Sequence, residues 1–395
     1  MEYTCRNITN YLLLLIICLV GQSYVYSQSY IIEDATISKK DRDSCLTYVH
    51  PISSIKLYST DSINFSECLI ITDSSSYTPH KNEYTSSDTA WSHLIVFSSP
   101  QKFVHIQKPT NISVSARSIY VQPLQLNNTH NSKQFLGESC ASLPHIIYQD
   151  EWRVGLPEPD YTRIRTETKH IIIHHSAGSN NQTNYTDIIR NIYIDHTTNN
   201  GWDDIGYNYL IAQNGAIYAG RDPGDYEQDM VQGAHFVGKN AHTLGICILG
   251  NYEEVPVPDT AYQLLQKLVS WKCGKDSLQP LLTAYHPANS NLPVIAGHRD
   301  GGATLCPGEH LYEILPILRN EVADSLRQCG YTIATELSNI STQKHASRTY
   351  SISPKDLCYV YSINGQLITI DIFARIKAYT HNQRYIVVPQ KFIAE

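Results

Sequence analysis

Hydrophobic and polar residues alternate most regularly in the central third of the chain. Continuous apolar runs predict buried strands at residues 169–174, 243–249 and 292–296. Residues 207–212 and 216–220 predict two further strands, and the Asn214-Gly215 pair between them is typical of a tight hairpin turn.

Helical periodicity separates these predicted strands. Thr183 or Asn184 can cap one helix, whose apolar face recurs at Ile188, Ile189, Ile192 and His196. Asp259 can cap a second helix, and residues 311–326 predict a third with a possible kink at Pro316. Strands that alternate with helices indicate an α/β fold, with a central mixed β-sheet flanked by helices, over residues 145–330.

The regions on either side of this domain have a different pattern. Residues 28–140 are rich in Ser, Thr, Tyr and Asn and contain short alternating segments, so we interpret them as a β region of unknown role. A partly ordered linker is the alternative. Residues 331–352 predict a linker, and residues 353–395 a small β-type C-terminal domain with a turn at Asn364-Gly365.

The first residues have the pattern of an export signal. Arg6 precedes an apolar run at residues 11–20, which is too short to span a bilayer but fits the core of a signal peptide. We predict a signal peptide at residues 1–27 and an exported protein; a buried N-terminal strand is the alternative. No later stretch reaches membrane-spanning length, so we expect no membrane span after signal removal.

Composition excludes some classes of function. The chain has 395 residues, 30 basic and 37 acidic, and a net charge of −7, which gives no support to nucleic-acid binding. Eight cysteines follow the predicted signal peptide. One of them is a candidate metal ligand, so the other seven cannot all pair with one another and at least one should stay outside any disulfide.

A candidate metal site lies at the ends of two predicted strands. His174 lies at the end of one such strand and His298 at the end of another, and Cys306 comes eight residues after His298. Two imidazoles and one thiolate can hold zinc while leaving a fourth position open, which is the arrangement of catalytic zinc sites. Adjacent strand residues point to opposite faces, so only one of His174 and His175 can readily face such a metal. Scattered histidines and cysteines also occur by chance, and spacing alone leaves that alternative open.

The motifs around these residues resemble the zinc-dependent N-acetylmuramoyl-L-alanine amidases of the type-2 family, which share a fold with peptidoglycan recognition proteins. The matching segments occur in the family's order and are residues 171–178, 201–210, 214–221, 233–235, 243–251, 297–300 and 304–308. The resemblance does not extend to residues 28–140 or to the C-terminal tail.

This resemblance implies a role for each matching position. His174, His298 and Cys306 would bind Zn²⁺, and Tyr207 and Thr304 would act in catalysis. The residues expected to line the substrate groove are His235, Asn240, Trp202 and Arg221, with His235 alternatively supporting a metal ligand. The implied reaction is hydrolysis of the amide between N-acetylmuramic acid and L-alanine in peptidoglycan or muropeptides. Two alternatives remain: non-catalytic muropeptide recognition, and cleavage within the peptide.

Two further comparisons refine the resemblance. Cys247 stands where some amidases of this family place a glutamate, so the general base is not identified. The tail, with apolar segments at 360–368 and 385–388, resembles the C-terminal sorting domains of the type IX secretion pathway of Bacteroidetes. That resemblance implies contact with secretion machinery, delivery to the cell surface or medium, and removal of the tail. The export signal alone predicts a location in the periplasm, at the cell surface or outside the cell. A small wall-binding or capping β module is the alternative.

Overall fold

A computed structural model describes the N-terminal and central parts of the chain and three segments of the tail. The described residues are 29–82, 88–124, 142–236, 238–334, 357–362, 367–372 and 385–389. The predicted signal peptide, residues 335–352 of the predicted linker and the Asn364-Gly365 turn lie outside the described residues.

The N-terminal part forms an antiparallel sheet of seven strands. The strands are β1 (Tyr30–Ile37), β2 (Asp43–Ser59), β3 (Leu69–Ile71), β4 (Ser76–Tyr77), β5 (Ala90–Trp91), β6 (Ile95–Gln107) and β7 (Val114–Val121). Their order is β1-β7-β2-β6-β3-β4, with β5 paired to β2. Two of the short alternating segments, residues 94–97 and 118–122, fall almost entirely within β6 and β7, so their prediction as strands is confirmed.

The central part alternates strands and helices. In chain order the elements are β8 (Ile146–Ile147), α1 (Gln149–Trp152), β9 (His170–His175), α2 (Tyr185–Ile194), β10 (Tyr209–Ile211), β11 (Ile217–Ala219), β12 (Thr243–Ile248), α3 (Asp259–Asp276), β13 (Thr283–His286), β14 (Asn289–Pro293), β15 (Ile295–Gly297), α4 (Glu309–Glu313) and α5 (Leu315–Gln328). Six of the strands form a sheet in the order β15-β9-β12-β10-β11-β8. The pairing of β10 with β11 is antiparallel and the other pairings are parallel. The predicted α/β fold with a mixed central sheet is confirmed.

The two faces of this mixed sheet have different coverings. On one face, Ile171 and Ile173 of β9 share a core with Leu265 of α3 and Leu318 of α5. Because side chains alternate along a strand, His174 belongs to the opposite face. On that opposite face Leu210 of β10 packs in a second core with α2.

Helix α2 lies between the mixed sheet and the N-terminal sheet. Eight of its ten residues are buried, which is typical of a helix covered on more than one side. Leu94, Val96, Ile119 and Val121 of the N-terminal part share one core with Ile189 of this helix. The N-terminal sheet therefore contributes directly to the packing of the central domain.

Three details differ from the sequence-based expectations. The helix predicted at 311–326 is two helices, and Pro316 is the second residue of α5, where a proline fits because first-turn N–H groups have no helical partner. Asp259 is the first residue of α3, and Pro258 occupies the capping position without a side-chain hydrogen bond. The strand predicted at 292–296 is divided between β14 and β15.

The tail contains β16 (Leu357–Ser362), β17 (Leu367–Ile372) and β18 (Tyr385–Pro389), in an antiparallel sheet ordered β17-β16-β18. Within the described part of the chain, none of the helices combines the length and apolarity needed to cross a membrane.

Cys45 and Cys329 are disulfide-bonded, whereas Cys68, Cys247 and Cys273 are buried thiols. The prediction that at least one cysteine stays outside disulfides is confirmed.

Candidate metal centre

Three buried side chains with metal-binding atoms converge beside the mixed sheet, at the ends of β9 and β15. The ligand atoms of His174, His298 and Cys306 all lie within 4.8 Å of one another. Nδ1 of His174 is 3.6 Å from Sγ of Cys306, and the ring centroids of His174 and His298 are 4.6 Å apart. The exposed fractions are 1% for each histidine and 4% for the cysteine.

The parallel pairing of β9 and β15 brings the two histidines together. Ile173 is the register partner of Gly297, so the next residue on each strand, His174 and His298, comes to the same end of the pair. His298 begins a 3₁₀ turn, His298–Asp300, directly after β15. The sequence-distant histidines are thus neighbours because their strands are neighbours.

The loop after this turn places the cysteine. The backbone N–H of Arg299 donates to the carbonyl of Cys306 over 3.0 Å. The backbone N–H of Cys306 in turn donates to Oγ1 of Thr304 over 2.9 Å. These two bonds fold the loop back, and Sγ of Cys306 lies 3.6 Å from Nδ1 of His174.

The donor set fits zinc. Two imidazoles and one thiolate suit a borderline-soft cation, and three protein ligands leave one coordination position for another group. Burial, followed by the neighbouring His298 and His235, holds the pKa of His174 well below its ordinary value. The imidazole is therefore neutral at physiological pH and keeps the lone pair that a metal requires.

His175 points away from this group. Its Nδ1 accepts a hydrogen bond from the backbone N–H of Tyr252 over 3.2 Å, and 6% of the residue is exposed. The prediction that only one of the two adjacent histidines faces the candidate metal position is confirmed. Period-two alternation along β9 is the physical reason.

The two predicted catalytic residues lie beside the candidate metal ligands. Tyr207 is half-buried just before β10, and its ring centroid is 5.2 Å from that of His174. Thr304 is half-buried in the loop before Cys306, where its Oγ1 accepts the hydrogen bond already described. The structure thus brings both residues to the same site.

The four predicted groove-lining residues differ in position. His235 is 0% exposed and its Nδ1 lies 3.0 Å from Nε2 of His174. Oδ1 of Asn240 accepts the backbone N–H groups of His235 and Phe236 over 2.8 and 2.7 Å, so this side chain orders the loop. The burial of His235 differs from the groove-lining expectation and agrees with the alternative that it supports a metal ligand.

Arg221 is also buried, with 5% of the residue exposed, and its Nε donates to the hydroxyl of Tyr161 over 3.1 Å. This position, too, differs from that expected of an open groove wall. Trp202 is half-buried, and its ring centroid is 4.7 Å from that of His196. Of the four residues, Trp202 and Asn240 retain part of their surface for a ligand.

Sequence reasoning did not identify the supports behind Tyr207. Nδ1 of His196 accepts the backbone N–H of Gly206 over 3.0 Å, and the His196 ring is 5.7 Å from the Tyr207 ring. His196 belongs to the π-helical turn Asp195–Asn199. Asp195 in turn binds Lys56 of the N-terminal sheet. No local pattern predicts that contact, because its two partners lie far apart in the sequence.

Comparisons with known proteins agree on the family. A family profile described as N-acetylmuramoyl-L-alanine amidase matches residues 164–309. The chain is 30% identical over 169 residues to peptidoglycan-recognition protein SC2 of Drosophila simulans, covering 42% of this chain and 82% of that protein. It is 30% identical over 181 residues to peptidoglycan recognition protein 1 of Bos taurus, covering 45% and 84%.

Among solved structures, human PGRP-IBETAC in complex with glycosamyl muramyl pentapeptide is 30% identical. The match covers 44% of this chain and 94% of the human chain, with a TM-score of 0.36. The sequence relatives, 30% identical and covered over more than two thirds of their length, show the family, and the amidase profile matches residues 164–309. The chain belongs to the type-2 amidase and peptidoglycan recognition protein family.

Proposed function

We propose that this protein is an N-acetylmuramoyl-L-alanine amidase that uses Zn²⁺ held by His174, His298 and Cys306. The observation that carries the proposal is the convergence of these three buried ligand atoms within 4.8 Å. A donor set of three protein side chains is typical of catalytic zinc, whereas structural zinc sites are usually closed by four. When bound, the metal would polarise the scissile carbonyl and lower the pKa of a water molecule.

The ligand set is held rigidly from both sides. His174 lies on β9 and His298 directly follows the adjacent strand β15, and the cysteine loop is closed by the bonds from Arg299 and to Thr304. Such preorganisation favours catalysis because little free energy is spent on reordering the site during the reaction. It also supports recognition without catalysis, which is the competing function.

Tyr207 is the residue that favours catalysis. Its ring lies 5.2 Å from that of His174, so the tyrosine is a neighbour of the ligand group, and its hydroxyl is hydrogen-bonded with the thiol of Cys247. We assign it the donation of a hydrogen bond to the carbonyl oxygen of the substrate, where negative charge develops during attack. A pure binding protein has no need for a donor placed against developing charge.

Thr304 has two functions in this proposal. Its Oγ1 accepts from the Cys306 N–H, which orients the thiol. Because the oxygen acts as the acceptor in that bond, its own hydroxyl hydrogen can be donated to a substrate oxygen. The protein would release the stem peptide with a free L-alanine amine, leaving the lactyl carboxylate on the sugar.

The experiment is incubation of the full chain with purified muropeptides, with and without a zinc chelator, followed by mass spectrometry. We expect free stem peptides in the zinc-loaded sample and none after chelation. Intact muropeptides bound to a zinc-loaded protein would instead establish recognition without catalysis. Fragments cut inside the peptide would establish a peptidase.

We infer export from two features. The apolar run at residues 11–20 has the length of a signal-peptide core, and the disulfide-bonded Cys45 and Cys329 suit an oxidising compartment. We retain the proposal that the C-terminal tail is a sorting domain of a secretion pathway. Mass determination of the protein recovered outside the cytoplasm tests both the signal peptide and the sorting domain. We expect a mature form that starts at Gln28 and lacks the tail.

A further inference from the structure

The ring of His235 occupies a position that only glycine neighbours permit. A Cβ atom on Gly233 would lie 2.5 Å from the His235 ring, and a Cβ atom on Gly245 would lie 2.4 Å from it. Real Cβ atoms do not approach other atoms so closely, so any larger residue at either position would displace the ring. The two glycines therefore let His235 lie directly on β12, against His174.

The hydrogen bonds around His235 have a defined direction. The hydroxyl of Thr243 donates to the carbonyl oxygen of Asn240 over 2.7 Å, which commits the hydroxyl hydrogen. The Thr243 oxygen can therefore only accept from Nε2 of His235, 3.4 Å away. That contact requires a hydrogen on Nε2 of His235 and leaves its Nδ1 as a bare acceptor.

The same reasoning gives the direction of the hydrogen bond between His235 and His174. Nδ1 of His235 lies 3.0 Å from Nε2 of His174, and a bare acceptor there needs a hydrogen on the His174 side. A neutral imidazole carries one hydrogen, so Nδ1 of His174 keeps its lone pair. This same Nδ1 faces Sγ of Cys306 at 3.6 Å.

We propose that His235 is a positioning residue that, with Thr243, fixes His174 as the Nε2–H tautomer and directs the Nδ1 lone pair towards Cys306 and His298. Partners of this kind set the tautomer and orientation of metal-binding histidines. The inference deepens the proposed zinc site and rests on it for its purpose, but it does not depend on the amidase reaction. A role in packing alone would leave the His174 tautomer unspecified.

The direct test is nitrogen-15 NMR of the metal-free full chain labelled at histidine. The His174 signal is assigned by its loss in a His174→Gln variant. We expect a single Nε2–H tautomer for His174 in the wild type. A His174 protonated at Nδ1, or a mixture of tautomers, would overturn the inference without any variant being needed.

Three variants extend the test. His235→Phe keeps the ring but removes the acceptor, so we expect a mixed His174 tautomer and zinc affinity lower by about 10- to 100-fold, as for other outer partners of zinc ligands. His235→Asn restores an acceptor near the Nδ1 position and should recover much of that affinity. Thr243→Val should give a smaller loss.

His170→Phe is the matched control. Like His235, His170 is a buried histidine; it lies on β9, the strand of His174, and its Nδ1 is bonded to the Pro293 carbonyl. Zinc affinity is measured by competition with a chromophoric chelator on folded samples. Unchanged affinity in folded His235→Phe would contradict the inference. An Nε2–H tautomer in a protein that hydrolyses no muropeptide would contradict the proposed function and support this inference.

Discussion

Lys56 of the N-terminal sheet forms a buried ion pair with Asp195, which follows helix α2. Its Nζ lies 3.1 Å from both carboxylate oxygens, and the two side chains are 1% and 5% exposed. Asp195 begins the turn that carries His196, and His196 holds the backbone next to Tyr207. The N-terminal sheet is thereby linked to the candidate catalytic tyrosine through two side chains.

We predict that Lys56→Met strongly destabilises the protein. Removing one partner leaves a buried carboxylate without its counter-charge, which costs about 3–5 kcal/mol of unfolding free energy. Denaturant unfolding of the full chain measures this change. Lys39→Met is the matched control, because the Lys39–Asp61 pair is exposed at 58% and 29%; it should change stability little. Equal effects of the two substitutions would contradict the importance of the buried pair.

We predict that Cys306→Ser abolishes tight zinc binding. A serine hydroxyl is a poor zinc ligand, and the loss should exceed the roughly 10- to 100-fold typical of outer partners. Metal content after dialysis measures it. Cys273→Ser is the control, since Cys273 is an equally buried thiol within α3. Wild-type zinc content in Cys306→Ser would remove the ligand assignment.

We predict that Tyr207→Phe lowers kcat by about 100- to 1,000-fold, the range found when a donor to developing negative charge is removed. Zinc content should be unchanged, because the phenol is not a ligand. Tyr209→Phe is the control, as Tyr209 lies 1% exposed in the core two residues away. A Tyr207→Phe enzyme with wild-type kcat would show that another group supplies the hydrogen bond.

We predict that stability falls as the pH drops from 6.5 to 4, in part through His196. Burial lowers the pKa of His196 from 6.5 to about 4, opposed by Asp195 and reinforced by Lys56 and Arg221. The unfolded chain binds the proton first, so the folded state loses on the order of 3 kcal/mol across this window.

Thermal or denaturant unfolding at several pH values tests the sign. In His196→Gln, the dependence of stability on pH between 6.5 and 4 should be shallower by about one proton. His50→Gln, at an exposed histidine, serves as the control for removing an imidazole from the chain. An unchanged slope in His196→Gln would mean that His196 is not buried as a neutral group.

The sequence was sufficient to single out the candidate ligand residues and the strands beside them. His174 lies near the end of the apolar run that forms β9, His298 directly follows β15, and the family motifs select both over other histidines. Periodicity also placed the helix capped by Asn184, whose Oδ1 accepts from the N–H of Asp187. These features depend on side-chain type and on spacing over a few residues, and both can be read directly from one amino-acid sequence.

The burial of His235 and Arg221 could not be obtained in this way. Both residues lie in family motifs from which we expected groove-lining positions. Their burial depends on which segments of the chain cover them, and the motifs do not specify those segments. The sequence of α2 does indicate that the helix is covered on more than one side. Its isoleucines, at positions 188, 189, 192 and 194, do not share a single face. That pattern indicates a second covering surface but not its identity.

The sequence by itself indicated the candidate chemistry of this protein: two imidazoles and a tyrosine next to buried strands and a thiol in a following loop, in a family-specific order. Only the tertiary structure decided which residues contact and position these groups, namely His235 beside His174 and Lys56 paired with Asp195. The two members of the second pair are 139 residues apart. Local sequence specifies which groups are present and which elements form, whereas the partner and dielectric environment of each group depend on contacts between distant segments.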